Sequence, residues 1–229
     1  MPTAVQPRLD RERIIAAARE LVHDGGAGRL TMRRLGTALG VDPTAVYRHF
    51  ANKDEILLAL GEQLFADALA DYAETASWRD DLSTLYRRGV QVYAQNPAIA
   101  EILARLTEEL PVLQDGSEHI VRCLRRAGIA DADLALMHHA VLDALVGAGF
   151  VAAVSVPHYD AATRDRLRRA YKSADPATHA AVVPIADDLF PDSGLIADTL
   201  LTTLLDGIEA RAERTNRRPS RPSRRETRS

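Results

Sequence analysis

The stretch Leu30-Thr31-Met32-Arg33-Arg34-Leu35-Gly36-Thr37-Ala38-Leu39-Gly40-Val41-Asp42-Pro43-Thr44-Ala45-Val46-Tyr47-Arg48-His49-Phe50 decides how this chain is read. Thr31 offers a hydroxyl N-cap, and Leu35, Ala38 and Leu39 put apolar side chains on one face of the helix that follows. Gly40 is the residue type that closes a helix in the left-handed conformation. Asp42 then caps a second helix with Pro43 at its first position, where a missing N–H is no loss. Two short helices bent about Gly40 have the spacing of a helix-turn-helix. In the second, Val46 and Phe50 lie four apart and face inward, whereas Thr44, Tyr47 and Arg48 form a stripe on the solvent side. Arg48 suits phosphate or guanine, Tyr47 and His49 suit phosphate oxygens, and Thr44 and Ala45 offer small contacts to a thymine methyl. Lys53, just inside the next helix, adds a phosphate partner. Capped helix pairs also occur as plain pieces of all-α cores, so spacing alone leaves two readings open.

Outward from this stretch the chain reads as helix after helix. A first helix is predicted from Asp10 to about His23, with Ile14, Ala18, Leu21 and Val22 on one face and a loose exit through Gly25, Gly26 and Gly28. Asn52 and Glu55 form a capping box for a helix expected to run to about Ala73 and join two domains. Ser77 opens the next helix, closed before Pro97. Further helices are expected at about Pro97 to Thr107, Val112 to Ala127, Asp131 to Val154 and Asp160 to Ser173. A looser stretch around Pro176, Pro184 and Pro191 precedes the last helix, from Ser193 to about Arg214. The fold class is therefore all-α: a three-helix helix-turn-helix domain followed by a larger helical domain. The expected boundaries are an arm over 1–9, the helix-turn-helix domain over 10–55, the larger domain over 56–214, and a tail over 215–229. That tail, with six arginines among Ser and Pro, cannot build a core and is expected to be disordered.

Composition narrows the function. The 229 residues are long enough for a small reader plus a second domain of their own core. The lone Cys123 permits no intrachain disulfide and the first residues lack the layout of a signal peptide, which predicts a cytoplasmic protein. The apolar run from Leu134 to Val156 is interrupted by His138, His139 and Asp143, and reads as a buried helix rather than a membrane span. The formal charge of −3 is unevenly divided, with both ends basic and the middle strongly acidic. A basic reader under an acidic body suits a protein with one DNA-facing surface. Since only Lys53 and Lys172 are lysines, single arginines carry less information than usual.

The run from Asp10 to Phe65 resembles the DNA-binding domain of the TetR family of bacterial regulators. The likeness rests on Arg-Glu-Arg-Ile-Ile-Ala-Ala-Ala-Arg-Glu-Leu, on Leu-Thr-Met-Arg-Arg-Leu, and on Gly-Val-Asp-Pro-Thr-Ala-Val-Tyr-Arg-His-Phe-Ala-Asn-Lys-Asp-Glu-Ile-Leu. It implies that Thr31, Arg33, Thr44, Ala45, Tyr47, His49 and Lys53 contact operator DNA. Arg48 stands where family members vary, which leaves its base preference open. The resemblance also bears on two helices with small or apolar faces: Ala140, Ala144, Gly147 and Ala148 on one, and Ile196, Leu200, Thr203, Leu204 and Gly207 on the other. Either face could be intrachain core, but relatives pair through a late helix and their last helix as a four-helix bundle. A homodimer on a two-fold symmetric operator of double-stranded DNA is thereby implied.

Ser77-Trp78-Arg79-Asp80, Asn96-Pro97 and the layout through Gly128 resemble the regulatory domain of the tetracycline-repressor branch of the family. An ungapped comparison from that anchor puts Leu69, Leu85 and Leu103 where that branch has His, Asn and a magnesium-ligating His. Leucine binds neither magnesium nor a keto-enol oxygen. The expectation is an apolar pocket lined by Leu69, Leu85, Gly89, Leu103, Leu106, Ile120, His138 and Leu142, taking a small apolar or amphipathic inducer and no metal or other cofactor. His138 reads equally as a pocket group or a satisfied core residue. His139 can pair with Asp143 four residues on.

No spaced metal-ligand motif, nucleophile elbow or phosphate-cradling glycine loop occurs in the sequence. The chain is accordingly expected to be no enzyme and to have no membrane partner. Its expected role is a ligand-responsive transcriptional regulator, most simply a repressor. Two alternatives stay open: a DNA-binding regulator controlled by a protein partner, and an all-helical metal- or haem-binding protein.

Overall fold

Polar side chains set the helix starts. In a computed structural model, which describes residues 8–23, 27–97, 100, 111–154 and 156–216, every regular element in the described residues is helical. α1 spans Arg11–His23, α2 Met32–Leu39, α3 Pro43–Tyr47 and α4 Lys53–Leu69. The Asp10 carboxylate accepts from Arg13 N, the Thr31 hydroxyl from Arg34 N, the Asp42 carboxylate from Thr44 N and the Asn52 side chain from Glu55 N. Gly40 closes α2 at φ 68°, a conformation that other residues adopt at a cost. Ile14, Ala18, Leu30, Leu35, Val46, Phe50, Ile56 and Leu60 then form one buried core. Burying such side chains is worth about 1.5–3 kcal/mol each, which is how three short helices and the start of α4 become one unit. The expected arm over 1–9 and tail over 215–229 fall largely outside the described residues.

Two lengths differ from the sequence reading, each for a tertiary reason. α3 stops at Tyr47, yet Phe50 N still donates to Val46 O at 3.1 Å, so Phe50 turns inward as expected without a continuous helix. α4 ends at Leu69 rather than near Ala73, because Tyr72 folds back: its N–H donates to Leu69 O, its ring packs edge-on against His119, and its hydroxyl stands 4.0 Å from the Cys123 sulfur.

The second half comprises α5 Trp78–Gln95, α6 Pro111–Arg126, α7 Asp131–Val154, α8 Ala161–Lys172 and α9 Ser193–Asn216. α5 and α7 cross at two glycines: a Cβ on Gly89 would lie 2.7 Å from Leu145, and one on Gly149 2.7 Å from Tyr93. α7 is the one helix among the described residues long and apolar enough to cross a membrane. It is buried on one side only, through Leu134, Val141, Leu145, Gly149 and Ala153, while Leu136 and Val151 are exposed. The expected buried helix is thus buried along one side and open along the other. α9 lays Leu201, Leu205, Ile208 and Ala212 on the body and is pinned by Arg79 to Asp206 and Glu209 and by Arg211 to Asp133. α8 has no buried residue and is tied instead to the return strand of chain, Tyr171 against Phe190 and Arg168 to the Phe190 carbonyl.

A polar latch holds the end of α4 to α5 and α6. Asp81, only 2% exposed, accepts from the Thr75 N–H and hydroxyl and from Arg126 Nη1 at 2.6 Å, while Arg126 Nη2 donates to the Thr75 carbonyl. Glu74 beside it pairs with Arg122 at 2.9 Å. Burial works to raise the Asp81 pKa, but the bonds from Arg126 and Thr75 outweigh it and leave the carboxyl below its ordinary value.

Candidate DNA-binding face and ligand cavity

The turn between α2 and α3 fixes which side chains reach outward. Val41 N donates to Gly36 O at 2.9 Å, closing the bend, and Val46 is fully buried beneath it. With Val46 and Phe50 inward, Tyr47 is left 53% exposed at the end of α3, and Arg48, its C-cap, is exposed beside it. Arg33 on α2 and Lys53 at the first position of α4 are exposed too, while Ala45 and His49 are half-buried. Two residues of the expected set also serve the fold. Thr31 caps α2, and the Thr44 hydroxyl donates to the Asp42 carboxylate at 2.6 Å, which holds that carboxyl below its usual pKa and leaves the Thr44 methyl as its outward group.

One positioning residue escaped the sequence reading. Arg11, in the first turn of α1, donates from Nη1 to the His49 carbonyl at 2.6 Å, faces Glu55 at 3.5 Å, and lays its guanidinium 4.0 Å above the Phe50 ring. Glu55 in turn accepts from Ala51 N. One arginine thus ties α1, the end of α3 and the start of α4 together. Its partner lies 38 residues away, and no local pattern announces such a pairing.

The second feature is a partly open cavity of about 170 Å³ lined by α4, α5, α6 and α7. Five expected residues, Leu69, Leu85, Gly89, Ile120 and Leu142, line it together with Phe65, Tyr93 and Leu145. Leu103 and Leu106 lie outside the described residues. His138 is not part of the lining. It sits one turn before Leu142 on the same side of α7, with its Nε2 buried and unbonded among the described residues. Burial, and then the neighbouring His139, lower its pKa, so the ring is neutral near pH 7. The wall also holds Arg88, which the sequence reading passed over among many arginines. The signal was its place beside Gly89.

A larger apolar groove of about 590 Å³ runs between the second half of α7 and the start of α9, past Val156 and Tyr159. Gly147, Ala148, Ile196 and Leu200 of the expected subunit faces line it, and Ile196 and Leu200 are exposed. Of the others, Ala140, Thr203 and Gly207 are exposed, while Ala144 and Leu204 are half-buried. A Cβ on Gly147 or Gly207 would meet nothing, so both faces are open to an approaching surface. Size favours this groove as a ligand site, but its floor is an exposed helix pair, whereas the smaller space is walled by four helices; a small molecule is better desolvated in the latter. Among the described residues no group of three or more His, Cys, Asp or Glu side chains is placed to hold a metal ion.

Comparison with known proteins bears on the whole chain. The sequence pattern of the bacterial regulatory proteins of the tetR family matches residues 14–60. An HTH-type transcriptional regulator of Saccharopolyspora erythraea is 27% identical over 71% of this chain and 69% of its own length. The tetracycline repressor protein class C of Escherichia coli is 32% identical over 47% of this chain and 55% of its own. Among solved structures, a TetR transcriptional regulator of Streptomyces coelicolor is similar with TM-score 0.77 at 27% identity, covering 90% of this chain and all of that one. ActR of the same organism, solved with actinorhodin, has the same fold, with TM-score 0.78 at 21% identity over 90% of this chain and 99% of that one.

Proposed function

We propose, from the premise that this chain belongs to the TetR family of bacterial regulatory proteins, that it is a repressor which grips a two-fold symmetric operator as a homodimer and lets go when a small apolar or amphipathic molecule enters the α4–α7 cavity. The observation that carries the reading is the continuity of α4: its first residue, Lys53, is exposed as Tyr47 and Arg48 are, and its last, Leu69, lines the cavity. The open faces of α7 and α9 are the surfaces for the second copy. Pairing them would cover Ile196, Leu200 and Val151 and set the two reading faces on one duplex.

In this scheme Tyr47, His49, Arg33 and Lys53 hold phosphates, Thr31 meets the backbone from the cap of α2, and Thr44, Ala45 and Arg48 meet base edges. A ligand releases the operator only if it binds the arrangement that cannot grip DNA better than the one that can, and couplings of about 1–3 kcal/mol are typical. ActR, a protein of the same fold, was solved with actinorhodin, which is in keeping with a fold that can take a small molecule. A cavity left open among the described residues favours a small molecule over a protein partner.

An operator selected from random duplex DNA supplies the test. Tyr47→Ala and Lys53→Ala should each weaken binding by about tenfold, the size of one lost charge-assisted or phosphate contact, while sedimentation still reports a dimer. Loss of the dimer with unchanged DNA affinity would overturn the assignment. Arg48→Ala should relax base preference at one operator position by about 1–3 kcal/mol with little change in salt slope. A uniform loss across operators would make Arg48 a phosphate clamp instead.

A further inference from the structure

The cavity wall is apolar except at a few points, of which one is charged. Among its described lining residues Arg88 is the single charged side chain; the other polar groups are the hydroxyls of Tyr93 and Ser117. Burial raises the Tyr93 pKa, so its hydroxyl stays protonated and able to donate. Arg88 bonds outward through Nη1 alone, to the Ala68 carbonyl at 2.8 Å and to Asp71 at 2.6 Å. Its Nε and Nη2 have no partner among the described residues, and those two nitrogens form the edge of a guanidinium that grips a carboxylate with two parallel bonds. The guanidinium is partly exposed and also borders the open surface beside Asp67 and Asp71, so its free edge stays within reach of water, and a carboxylate gains a charge-assisted pair there that a neutral ligand does not. Dry apolar spaces of about 150 Å³ take up benzene, so about 170 Å³ suits one ring or a branched chain with a short arm.

Resting on the regulator reading, we infer that the ligand of this cavity is a small amphipathic carboxylic acid, with its apolar body among Phe65, Leu69, Leu85, Ile120 and Leu142 and its carboxylate taken by Arg88. This choice of ligand also supplies the trigger. Ala68 lies in the last turn of α4 and Asp71 just beyond it, so Arg88 is the cap that holds the end of that helix to α5. A carboxylate on the Nε–Nη2 edge brings a second negative charge to a guanidinium that Asp71 already pairs with through Nη1, and the two carboxylates repel. Asp71 is 83% exposed and gives up its pairing to water at little cost. Acid binding then loosens the end of α4 whose other end carries Lys53.

The test uses the full chain and matched pairs of probes: 3-phenylpropanoate against 3-phenylpropanamide, and 4-methylpentanoate against its amide, by calorimetry and by release of the selected operator. The acid of a pair should bind about tenfold or more tightly than its amide, and only the acid should release DNA. Arg88→Gln should erase the preference for the acid and Arg88→Lys should retain part of it. Asp71→Asn, a change at an exposed site, should tighten acid binding severalfold by removing the like charge beside Arg88, and it decides the matter should Arg88→Gln fold poorly. Amides that bind as well as acids would overturn the carboxylate while leaving the cavity as the ligand site. If no probe of either kind binds a protein that still holds its operator, the cavity reading and the carboxylate fall together.

Discussion

Gly36→Val should abolish operator binding, lowering affinity by roughly a hundredfold or more, while the dimer and the helical half of the chain persist. The reason is a close approach that no side chain can relieve. A Cβ at position 36 would lie 2.9 Å from the Val41 carbonyl oxygen, 3.1 Å from Pro43 N and 3.3 Å from Pro43 Cα. All three atoms are backbone, so α3 itself must retreat from α2. The retreat breaks the 2.9 Å bond from Val41 N to Gly36 O and lifts Val46 from the buried core. Overpacking of this kind costs about 1–3 kcal/mol of stability. Operator affinity is hit harder than stability, because a reading helix displaced by fractions of an ångström misplaces all of its contacts at once. Gly28→Ala serves as the control, since a Cβ there meets nothing and should leave affinity within about twofold. Fluorescence anisotropy on the selected operator reads both. A Gly36→Val protein that binds DNA normally would mean that α3 is not the reading helix.

That prediction draws on a part of the fold that was legible from local chemistry. Thr31, Asp42, Asn52, Ser77 and Asp160 are all caps in the structure, with bonds to the backbone N–H two or three residues on. Such signals act over three residues and need no tertiary context. α7, expected from Asp131 to Val154, spans those residues. The misses have the opposite character. The end of α4 depends on Tyr72 meeting His119 and Cys123 some fifty residues later, and the clamp of Arg11 on the His49 carbonyl joins elements that no periodicity links. His138 shares a helical side with Leu142, and helical phase is legible in sequence; which residues of that side line the cavity is set by the packing of other helices. Arg88 was passed over for a related reason. In a chain whose basic residues are nearly all arginine, composition hides the one that lines an apolar wall.

The latch at Asp81 should be the largest single electrostatic contributor to stability, and its loss should be visible in pH dependence as well as in melting. Asp81→Asn keeps the shape but removes the charge that Arg126 and two Thr75 groups address. Breaking one side of a buried pair strands the polar groups on the other, and at pH 7 the thermal midpoint should fall by roughly 5–10 °C. The sign of the pH effect follows from the depressed folded-state pKa of Asp81. A carboxylate held below its unfolded value, about 3.9, stabilises the fold fully above that value. The contribution drains away as the pH falls below about 4 and through the lowered folded pKa, where the native state takes up the proton it had resisted. The wild-type midpoint should therefore drop more steeply than that of Asp81→Asn as the pH falls below about 4, and the two curves should converge once Asp81 is protonated in the folded state. Other carboxylates titrate over the same range in both proteins, so the difference between the curves isolates Asp81. Parallel curves would show that the Asp81 charge adds nothing, and would leave Tyr72 and the apolar contacts of α6 as what holds the end of α4.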